Sequence, residues 1–359
     1  MPSSHPALAR AEAFCRAYNI RVPILQAPMA GACPPSLAIA VANAGGLGGC
    51  GALLMEPAAI KQWAAEMRAG SNGGFQFNLW IPDPPPKRDA AHEAAVRAFL
   101  GQWGPAVAPE AGDVSMPDFA AQCDALLEAG PAIVSSIMGV YPPDFVARMK
   151  ARGVKWFATV SSVAEAREAE TAGADAIVAQ GMEAGGHRGA FDAKKAESQQ
   201  VGLFALLPAV VDAVRVPVIA TGGIGDARGI AAALLLGASA AQIGTGFLRC
   251  PEARLAPAWA DAIGRTLPEQ TVVTRAFSGR PGRSIANEYA RAATSPEAPA
   301  PAPYPVQRGL TAAMRVAAGK AGDIDKMQAW AGQAAAFAQA KPAGDIVREL
   351  WDGARALLS

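Results

Sequence analysis

Short apolar runs alternate with longer, Ala-rich segments through the first two thirds of the chain. Eight apolar runs predict buried strands, namely Val22–Ala27, Gly46–Cys50, Phe75–Leu79, Ala132–Ile137, Val154–Val160, Ala176–Gln180, Pro217–Thr221 and Ala240–Gly244. The segments between them carry helix patterns, as in Ser36–Ala44, Pro57–Ala69, Ser161–Ala172, Gly202–Val214 and Ala227–Leu236. Strands that alternate with helices pair in parallel through right-handed crossovers. Eight such units predict an α/β fold, a (β/α)8 TIM barrel rather than an open sheet.

Two regions interrupt this alternation. Residues 82–117 follow the third predicted strand and begin with a proline cluster, which blocks helix and sheet alike. The middle of this insertion, Ala90–Leu100, has a helix pattern, and we expect the insertion to form a lid or a wall of the substrate channel. The second region follows residue 270, so we divide the chain into a barrel, residues 1–270, and a small C-terminal subdomain, residues 271–359.

The C-terminal subdomain is predicted to be mainly helical and to lie on the substrate side of the barrel. It contains a flexible-looking Pro/Ala tract at Ser295–Pro305. Helix patterns follow near Leu310–Ala318, Asp323–Gln339 and Gly344–Leu357.

Composition narrows the class of protein. Of 359 residues, 51% are hydrophobic and 18% are charged. The net charge is +1 and the sequence has no long run of charges of one sign, so neither a nucleic acid nor a membrane surface is an expected partner. The start, Met1–His5, lacks a signal-peptide pattern, and we expect it to be mobile. The cysteines are scattered without a CxxC pair, which favours a reduced, cytoplasmic location. Three histidines without a cluster predict no metal site.

One histidine stands out among the loops that follow the predicted strands. Gln180–Gly189 comes directly after the sixth strand and contains His187 among three glycines. Glycine lets the backbone approach a ligand closely, and histidine exchanges a proton near neutral pH. A structural histidine is the alternative. His5 and His92 lie in the start and in the insertion, and neither is expected to be catalytic.

Gly-rich turns follow the seventh and eighth strands. Thr221–Gly225 and Gly244–Gly246 are each followed by a helix pattern, so their backbone N–H groups could cradle a phosphate. The alternative is that the glycines only make tight turns.

Other residues at the strand ends are weaker signals. Ala27–Met29 offers either a backbone edge along a flat ligand or a plain strand end, and the amides of Asn78 and Gln180 either bond a heterocycle or cap the backbone. Glu183 and Arg188 could pair with each other or with the substrate, and a surface salt bridge is the favoured interpretation. Further candidates are Tyr304 and Arg308 as substrate contacts and Cys33 and Cys250 as buried thiols. For Trp330, packing is favoured over contact with a cofactor.

Together these residues resemble the nitronate monooxygenase family, formerly called 2-nitropropane dioxygenases, and its class I in particular. The resemblance runs through Pro23–Gly31, Ala44–Gly48, Gln180–Gly189, Gln242–Leu248, Ala276–Pro281 and Ala329–Gln333. It implies a TIM barrel that holds FMN non-covalently, with His187 as the catalytic base. The residues that it places against FMN are Ala27, Pro28, Met29, Asn78, Gln180, Gly185, Gly186, Gly222, Gly223, Gln242, Ile243, Gly244, Thr245 and Gln333.

The activity implied by the resemblance is the oxidation of alkyl nitronates, such as propionate 3-nitronate, by O2 to a carbonyl compound and nitrite. The first alternative is an FMN-dependent NAD(P)H oxidoreductase on the same barrel, of the enoyl-acyl-carrier-protein reductase or quinone reductase type. A flavin-binding or phosphate-binding barrel without catalysis and a sugar-phosphate isomerase are further alternatives. The sequence leaves open whether the chain is a monomer or a homodimer.

Overall fold

The computed structural model describes residues 5–359, so most of the start on which the targeting argument depends lies outside the described residues. It contains eleven strands in this part of the chain: β1 (Ile24–Gln26), β2 (Gly48–Gly51), β3 (Phe75–Trp80), β4 (Ile133–Ile137), β5 (Lys155–Val160), β6 (Ala176–Gln180), β7 (Gly186–His187), β8 (Val218–Thr221), β9 (Ala240–Ile243), β10 (Thr271–Thr274) and β11 (Gly282–Ile285). Eight of them pair in parallel in the order β1-β9-β8-β6-β5-β4-β3-β2. These are the eight predicted strands.

Backbone hydrogen bonds join the two ends of this sheet. The Gln26 N–H donates to the Leu47 carbonyl at 2.8 Å, and the Leu47 N–H donates to the Ile24 carbonyl at 3.0 Å. These bonds bring β1 against the residue that precedes β2, so the sheet curls into a barrel. The predicted TIM-barrel fold is confirmed. Its strands are short and almost wholly buried, because helices cover the outer face.

The described residues form fourteen α-helices: α1 (Pro6–Tyr18), α2 (Pro35–Asn43), α3 (Pro57–Gly70), α4 (Ala90–Leu100), α5 (Phe119–Ala129), α6 (Pro143–Ala151), α7 (Val163–Thr171), α8 (Leu203–Ala213), α9 (Ala227–Leu235), α10 (Pro257–Arg265), α11 (Glu288–Ala292), α12 (Val306–Leu310), α13 (Ala312–Ala321) and α14 (Ala343–Leu357). Several begin with proline at the first helical position, where its missing N–H costs nothing. The seven helices α2, α3 and α5–α9 follow the first seven barrel strands.

The last helix of the chain takes the eighth place in this ring. α14 packs against α9 and α2, the helices that follow the seventh and first barrel strands. It buries Ile346, Val347 and Leu350 in the same core as the barrel. The division of the chain at residue 270 is still a prediction. α14 belongs to the second unit by sequence, but it packs on helices of the first.

The start of the described chain differs from expectation. His5 does not lie in a mobile segment, because it is the N-cap of α1 and its Nδ1 accepts a hydrogen bond from the Ala7 N–H at 3.2 Å. α1 in turn packs beside α9. Within residues 5–359, no helix combines the length and the apolar character that crossing a membrane requires.

The insertion forms a second, smaller core with the C-terminal segment. Its helix α4 occupies the predicted residues 90–100 and buries Val96 and Leu100 against Phe277, Tyr289 and Leu310. At its beginning, Asp83 forms an ion pair with the buried Arg280. No residue between 82 and 117 lines the cavity described below. The lid role stays a prediction. The contacts made by α4 and Asp83 are with C-terminal residues outside the cavity lining.

The C-terminal segment contains two strands that the sequence pattern did not predict, and it lacks one predicted helix. β10 and β11 form an antiparallel hairpin, and β11 also pairs with β7. The helix predicted near Asp323–Gln339 is wrong. This segment begins with turns, runs extended beside β11 around Trp330, and ends in a short 3-10 turn at Ala335–Phe337. In the extended part, the Ile285 N–H donates to the Ala329 carbonyl at 2.9 Å and Trp330 bridges Ser284. Pairing with β11 overrides the helix propensity of its alanines.

Candidate active site

A cavity of about 370 Å³ lies at the carboxyl ends of the barrel strands, within the size range of small-molecule and cofactor sites. Fifteen of the sequence-predicted site residues line it: Ala27, Pro28, Met29, Asn78, Gln180, Gly185, Gly186, His187, Gly222, Gly223, Gln242, Gly244, Thr245, Tyr304 and Arg308. Ile243 and Gln333 do not. The Ile243 side chain is buried in the barrel core, and Gln333 contributes its N–H to the Glu183 carbonyl at 2.9 Å.

The His187 ring is held from three sides. The ring lies between two indoles, with centroid distances of 4.6 Å to Trp80 and 4.8 Å to Trp330. Its Nε2 lies 2.8 Å from the Ser278 hydroxyl. The backbone of His187 is fixed as well, because β7 pairs with β11 and Gly282 lies opposite His187.

These surroundings keep His187 uncharged. Burial, together with the smaller effect of the neighbouring guanidinium groups of Arg280 and Arg308, lowers its pKa from 6.5 to about 3. No Asp or Glu is present among the described residues that line the cavity. At neutral pH the ring is therefore a neutral imidazole that can accept a proton or a hydrogen bond.

Two arginines make the cavity electropositive. Arg315 is fully engaged, donating to the Gln328 side chain at 3.1 Å and to the Arg308 carbonyl at 2.8 Å. The Arg308 guanidinium has no protein acceptor within residues 5–359, although burial lowers its pKa. Tyr304 precedes the first residue of α12 by two positions, and its ring lies 5.4 Å from that of Trp80 between centroids. A partly buried cation without a protein acceptor, beside a neutral histidine, suits an anionic ligand.

The turns after β8 and β9 form a cradle of backbone donors. Gly222 and Gly223 have φ of 106° and 69°, which only glycine adopts readily. Across the part of the chain that the structure describes, the N–H groups of Gly222, Gly223, Gly244 and Thr245 donate to no protein acceptor. The predicted glycine turns thus leave several backbone donors without protein acceptors on the cavity wall, as a phosphate site without basic side chains requires.

Two backbone segments approach each other closely at Gly185. A Cβ there would lie 2.5 Å from the Gly332 nitrogen, so only glycine fits between the His187 loop and the segment that carries Trp330. The Gly332 N–H in turn donates to the Thr245 hydroxyl at 3.0 Å. The loop after β6, the turn after β9 and the C-terminal segment therefore meet at one point of the cavity wall.

The amides of Gln180 and Asn78 differ in how they are used. Gln180 donates from Nε2 to the His187 carbonyl at 3.1 Å and accepts the Gly189 N–H at Oε1 at 2.8 Å, so both ends of its amide hold the loop that carries His187. Asn78 donates to the Ser135 hydroxyl at 3.1 Å, and its oxygen has no protein donor among the described residues. Asn78 thus keeps an acceptor for a ligand.

The predicted surface salt bridge between Glu183 and Arg188 is wrong. Arg188 is only 1% exposed and donates to the carbonyls of Gly181 and Gln180 at 2.7 and 3.2 Å. The Glu183 carboxylate accepts the Leu203 N–H at the start of α8. Both charged side chains therefore bind backbone groups and hold the loop after β6 in place. The expectation that Cys33 and Cys250 are buried thiols is confirmed.

Sequence reasoning missed Trp80 and Ser278, and for Trp330 it favoured packing over contact with a cofactor. Trp80 carried a usable signal, since it lies two residues after Asn78 and therefore on the same face of β3. Ser278 carried none, because it lies 91 residues from His187 and only the pairing of β11 with β7 brings the two together.

A barrel whose mouth combines a neutral histidine, an arginine without a protein acceptor among the described residues and a cradle of backbone N–H groups has the features of an enzyme active site that could hold a phosphate-bearing cofactor and an anionic substrate. The chain belongs to the nitronate monooxygenase family, whose sequence profile matches residues 12–353. It is thus an oxidoreductase of the nitronate-oxidising kind.

Relatives and solved structures agree with this assignment. The chain is 40% identical over 338 residues to a nitronate monooxygenase of Paraburkholderia phytofirmans, covering 92% of each chain. It is 35% identical to a probable nitronate monooxygenase of Staphylococcus aureus, over 92% of this chain and 94% of the relative.

Among solved structures, a nitroalkane oxidase from Streptomyces ansochromogenes superposes with a TM-score of 0.86 at 37% identity, over 96% of this chain and 100% of that chain. FabK from Thermotoga maritima superposes with a TM-score of 0.75 at 28% identity, over 96% of each chain.

Proposed function

We propose that the chain is an FMN-dependent nitronate monooxygenase that converts alkyl nitronates and O2 to a carbonyl compound and nitrite. The observation that carries the proposal is the neutral His187 beside the unpaired Arg308 guanidinium in a cavity without acidic side chains. A nitronate is an anion that such a pair would bind, and its conjugate nitroalkane carries an acidic proton that a neutral imidazole would accept.

The cavity fits FMN on three counts. The N–H groups of Gly222, Gly223, Gly244 and Thr245 would hold the phosphate without a side-chain charge. The backbone of Ala27–Met29 would line the ring, and Asn78 and Gln242 would bond its polar edge, with Gln180, Gly185 and Gly186 completing the wall. FMN, when bound, supplies the one-electron chemistry between nitronate and O2.

The remaining residues would bind and orient the substrate. Arg308 and Tyr304 would hold the nitro group or a second anionic group, because both line the cavity close to His187. Trp80 and Trp330 would keep water away from the ring of His187 and fix its plane. His187 would take the α-proton of a nitroalkane or orient a nitronate that is already ionised.

Propionate 3-nitronate is the substrate that we propose. It combines a short chain, which a cavity of this size would hold beside a flavin, with a carboxylate in addition to the nitronate. Arg308 offers a free guanidinium to one anionic group, and the field of Arg315 adds to it.

Nitrite release tests the proposal directly. Purified protein would be mixed with propionate 3-nitronate in air without NAD(P)H, and we expect nitrite well above the control without enzyme. His187→Asn should lose turnover of a neutral nitroalkane far more than turnover of the preformed nitronate. Absence of nitrite from the wild type would overturn the function, whereas equal losses in the variant would remove only the base role.

One observation favours a second candidate, an FMN-dependent NAD(P)H oxidoreductase. FabK from Thermotoga maritima shares the fold over 96% of this chain at 28% identity. Anaerobic NADH or NADPH would then bleach the flavin absorption, which we expect not to change. A flavin-coloured protein that neither oxidises the nitronate nor is reduced by NAD(P)H would favour a binding protein. A colourless protein would favour a sugar-phosphate isomerase.

A further inference from the structure

The Ser278 hydroxyl lies within hydrogen-bond distance of two possible acceptors but has only one proton to donate. Its hydroxyl is fully buried and lies 2.8 Å from His187 Nε2 and 3.2 Å from the Arg280 carbonyl, and it accepts the Arg280 N–H at 3.3 Å. A hydroxyl donates one hydrogen bond and accepts up to two. Ser278 therefore donates either to the histidine or to the carbonyl, and the choice determines which nitrogen of His187 carries the proton.

The Arg280 carbonyl decides between the two. Ser278 is its one hydrogen-bond donor among residues 5–359, and Arg280 is only 1% exposed. A buried carbonyl without a donor destabilises the folded protein, because it has given up the hydrogen bonds that water provides in the unfolded chain. If the Ser278 proton goes to that carbonyl, the hydroxyl oxygen still accepts from His187 Nε2, and every group in the cluster is satisfied. If it goes to His187, the carbonyl has no donor.

The same arrangement occurs elsewhere in the molecule with its direction known. The buried Ser136 hydroxyl lies 3.0 Å from Trp156 Nε1 and 3.1 Å from the Gly139 carbonyl. An indole nitrogen only donates, so this hydroxyl must accept from the ring and donate to the carbonyl. At Ser278 an imidazole takes the place of the indole, and a carbonyl two residues onward takes the place of the one three residues onward.

We infer that Ser278 holds His187 in the tautomer with its proton on Nε2, which makes Nδ1 the atom that acts on the substrate. Nδ1 has no hydrogen-bond partner in the described chain, and it is not among the buried unpaired atoms, so it is open to the cavity that His187 lines. Ser278 is thus a positioning residue that acts through His187.

The catalytic consequence depends on the function proposed above. When His187 takes a proton on Nδ1, its Nε2–H continues to donate to Ser278 and the hydroxyl continues to donate to Arg280. No hydrogen bond in the cluster has to reverse during proton transfer, so the site is organised in advance for both states of the ring. In the other tautomer, the hydroxyl would have to turn around at each transfer.

The tautomer is measurable on the FMN-loaded protein without turnover. The chain has three histidines, and long-range 1H–15N spectra of 15N-histidine-labelled protein at pH 7 distinguish a ring protonated at Nε2 from one protonated at Nδ1. The signals missing from His187→Asn identify His187. We expect the Nε2–H pattern in the wild type and a shifted or averaged pattern in Ser278→Ala. A wild-type Nδ1–H pattern overturns the inference.

Kinetics test the role of the hydroxyl. We expect Ser278→Ala to lower kcat/KM for a neutral nitroalkane by about 10- to 100-fold, with a smaller loss on the preformed nitronate. Ser278→Thr keeps the hydroxyl and should recover part of the loss. Ser136→Ala is the matched control, a buried serine with the same two contacts away from the cavity, and should leave both activities and the His187 spectrum unchanged.

The outcomes separate this inference from the proposed function. If Ser278→Ala leaves both the tautomer and the nitroalkane kinetics as in the wild type, Ser278 does not position His187. If the wild type releases no nitrite but shows the Nε2–H pattern that Ser278→Ala abolishes, the function fails while the assignment of Ser278 stands.

Discussion

His187 is surrounded by groups that accommodate a neutral ring and oppose a charged one. The two indoles remove water from its faces, and the guanidinium groups of Arg280 and Arg308 repel a positive charge. A proton taken up from a substrate therefore stays only as long as a negative charge lies beside it. The anion formed when a nitroalkane loses its proton provides that charge.

The same burial predicts a pH dependence of stability. The folded pKa of His187, about 3, is below that of the unfolded chain, about 6.5, so the unfolded state binds a proton first as the pH falls. The contribution of His187 to stability is thus present above pH 6.5 and is lost progressively toward pH 3. Between pH 7 and pH 5, the thermal unfolding midpoint should fall further in the wild type than in His187→Asn.

Melting curves at constant ionic strength, on proteins of equal FMN content, would measure this difference. Parallel decreases in the two proteins would show that His187 titrates normally in the folded state.

At this scale the sequence yields residues whose signal is local. The glycine frame identifies His187, because a flexible backbone next to a titratable ring has little use in a core. It does not identify Ser278, which lies 91 residues from His187 and reaches it only after β11 has paired with β7. The sequence also misplaces Arg188, because it does not distinguish a buried guanidinium that donates to two backbone carbonyls from one that is exposed to solvent.

Among elements, the turn after β8 contributes through its backbone rather than its side chains. Gly223 has a φ of 69°, lines the cavity and leaves its N–H without a protein acceptor among the described residues. A methyl group there would meet the Glu183 side chain at 3.1 Å. The turn thus needs glycine both for its conformation and for the space beside it.

Gly223→Ala should therefore weaken FMN binding. Gly153→Ala is its matched control, because Gly153 also has a φ of 69° but has nothing within 4 Å and lies outside the cavity. Both variants should lose roughly 1–2 kcal/mol of stability from left-handed backbone strain. Only Gly223→Ala should lower the FMN-to-protein ratio measured by absorption after gel filtration. Equal FMN retention would contradict a phosphate cradle at this turn.

Elements whose stability comes from periodic burial could be predicted, and elements made by pairing with a distant partner could not. All eight barrel strands and helix α4 follow from their apolar patterns. The segment Asp323–Gln339 has the alanines of a helix, yet hydrogen bonds from β11 hold part of it extended. β10 and β11 were missed because their residues carry no alternating pattern strong enough to stand out beside a Pro/Ala-rich tract.

For the whole molecule, the main architectural fact is that the ring of helices is completed from the far end of the chain. α14 packs between α9 and α2, and its buried face joins the barrel core. The chain between β9 and α14 contains the hairpin that carries Ser278 and the segment that carries Trp330. Completion of the ring of helices and completion of the site thus depend on the same return of the chain.

Loss of packing on α14 should therefore weaken the entire barrel. Leu350 is buried on this helix and Leu357 is 58% exposed, so the same substitution at each separates packing from helix propensity. Leu350→Ala should lower the free energy of unfolding by about 2–5 kcal/mol, and Leu357→Ala by about 0.5 kcal/mol or less. Urea titrations followed by tryptophan fluorescence and by flavin release should then shift together. An early transition without flavin release would instead support a C-terminal unit that unfolds on its own.

The position of the eighth helix also orders events during synthesis. One hundred residues separate Ile243, the end of the last barrel strand, from Ala343, where α14 begins. At a translation rate of about 5–20 residues per second, roughly 5–20 seconds pass between the two. During this interval the groove between α2 and α9 has no partner. On a nascent chain this groove therefore stays open, and accessible to chaperones, until α14 has been made.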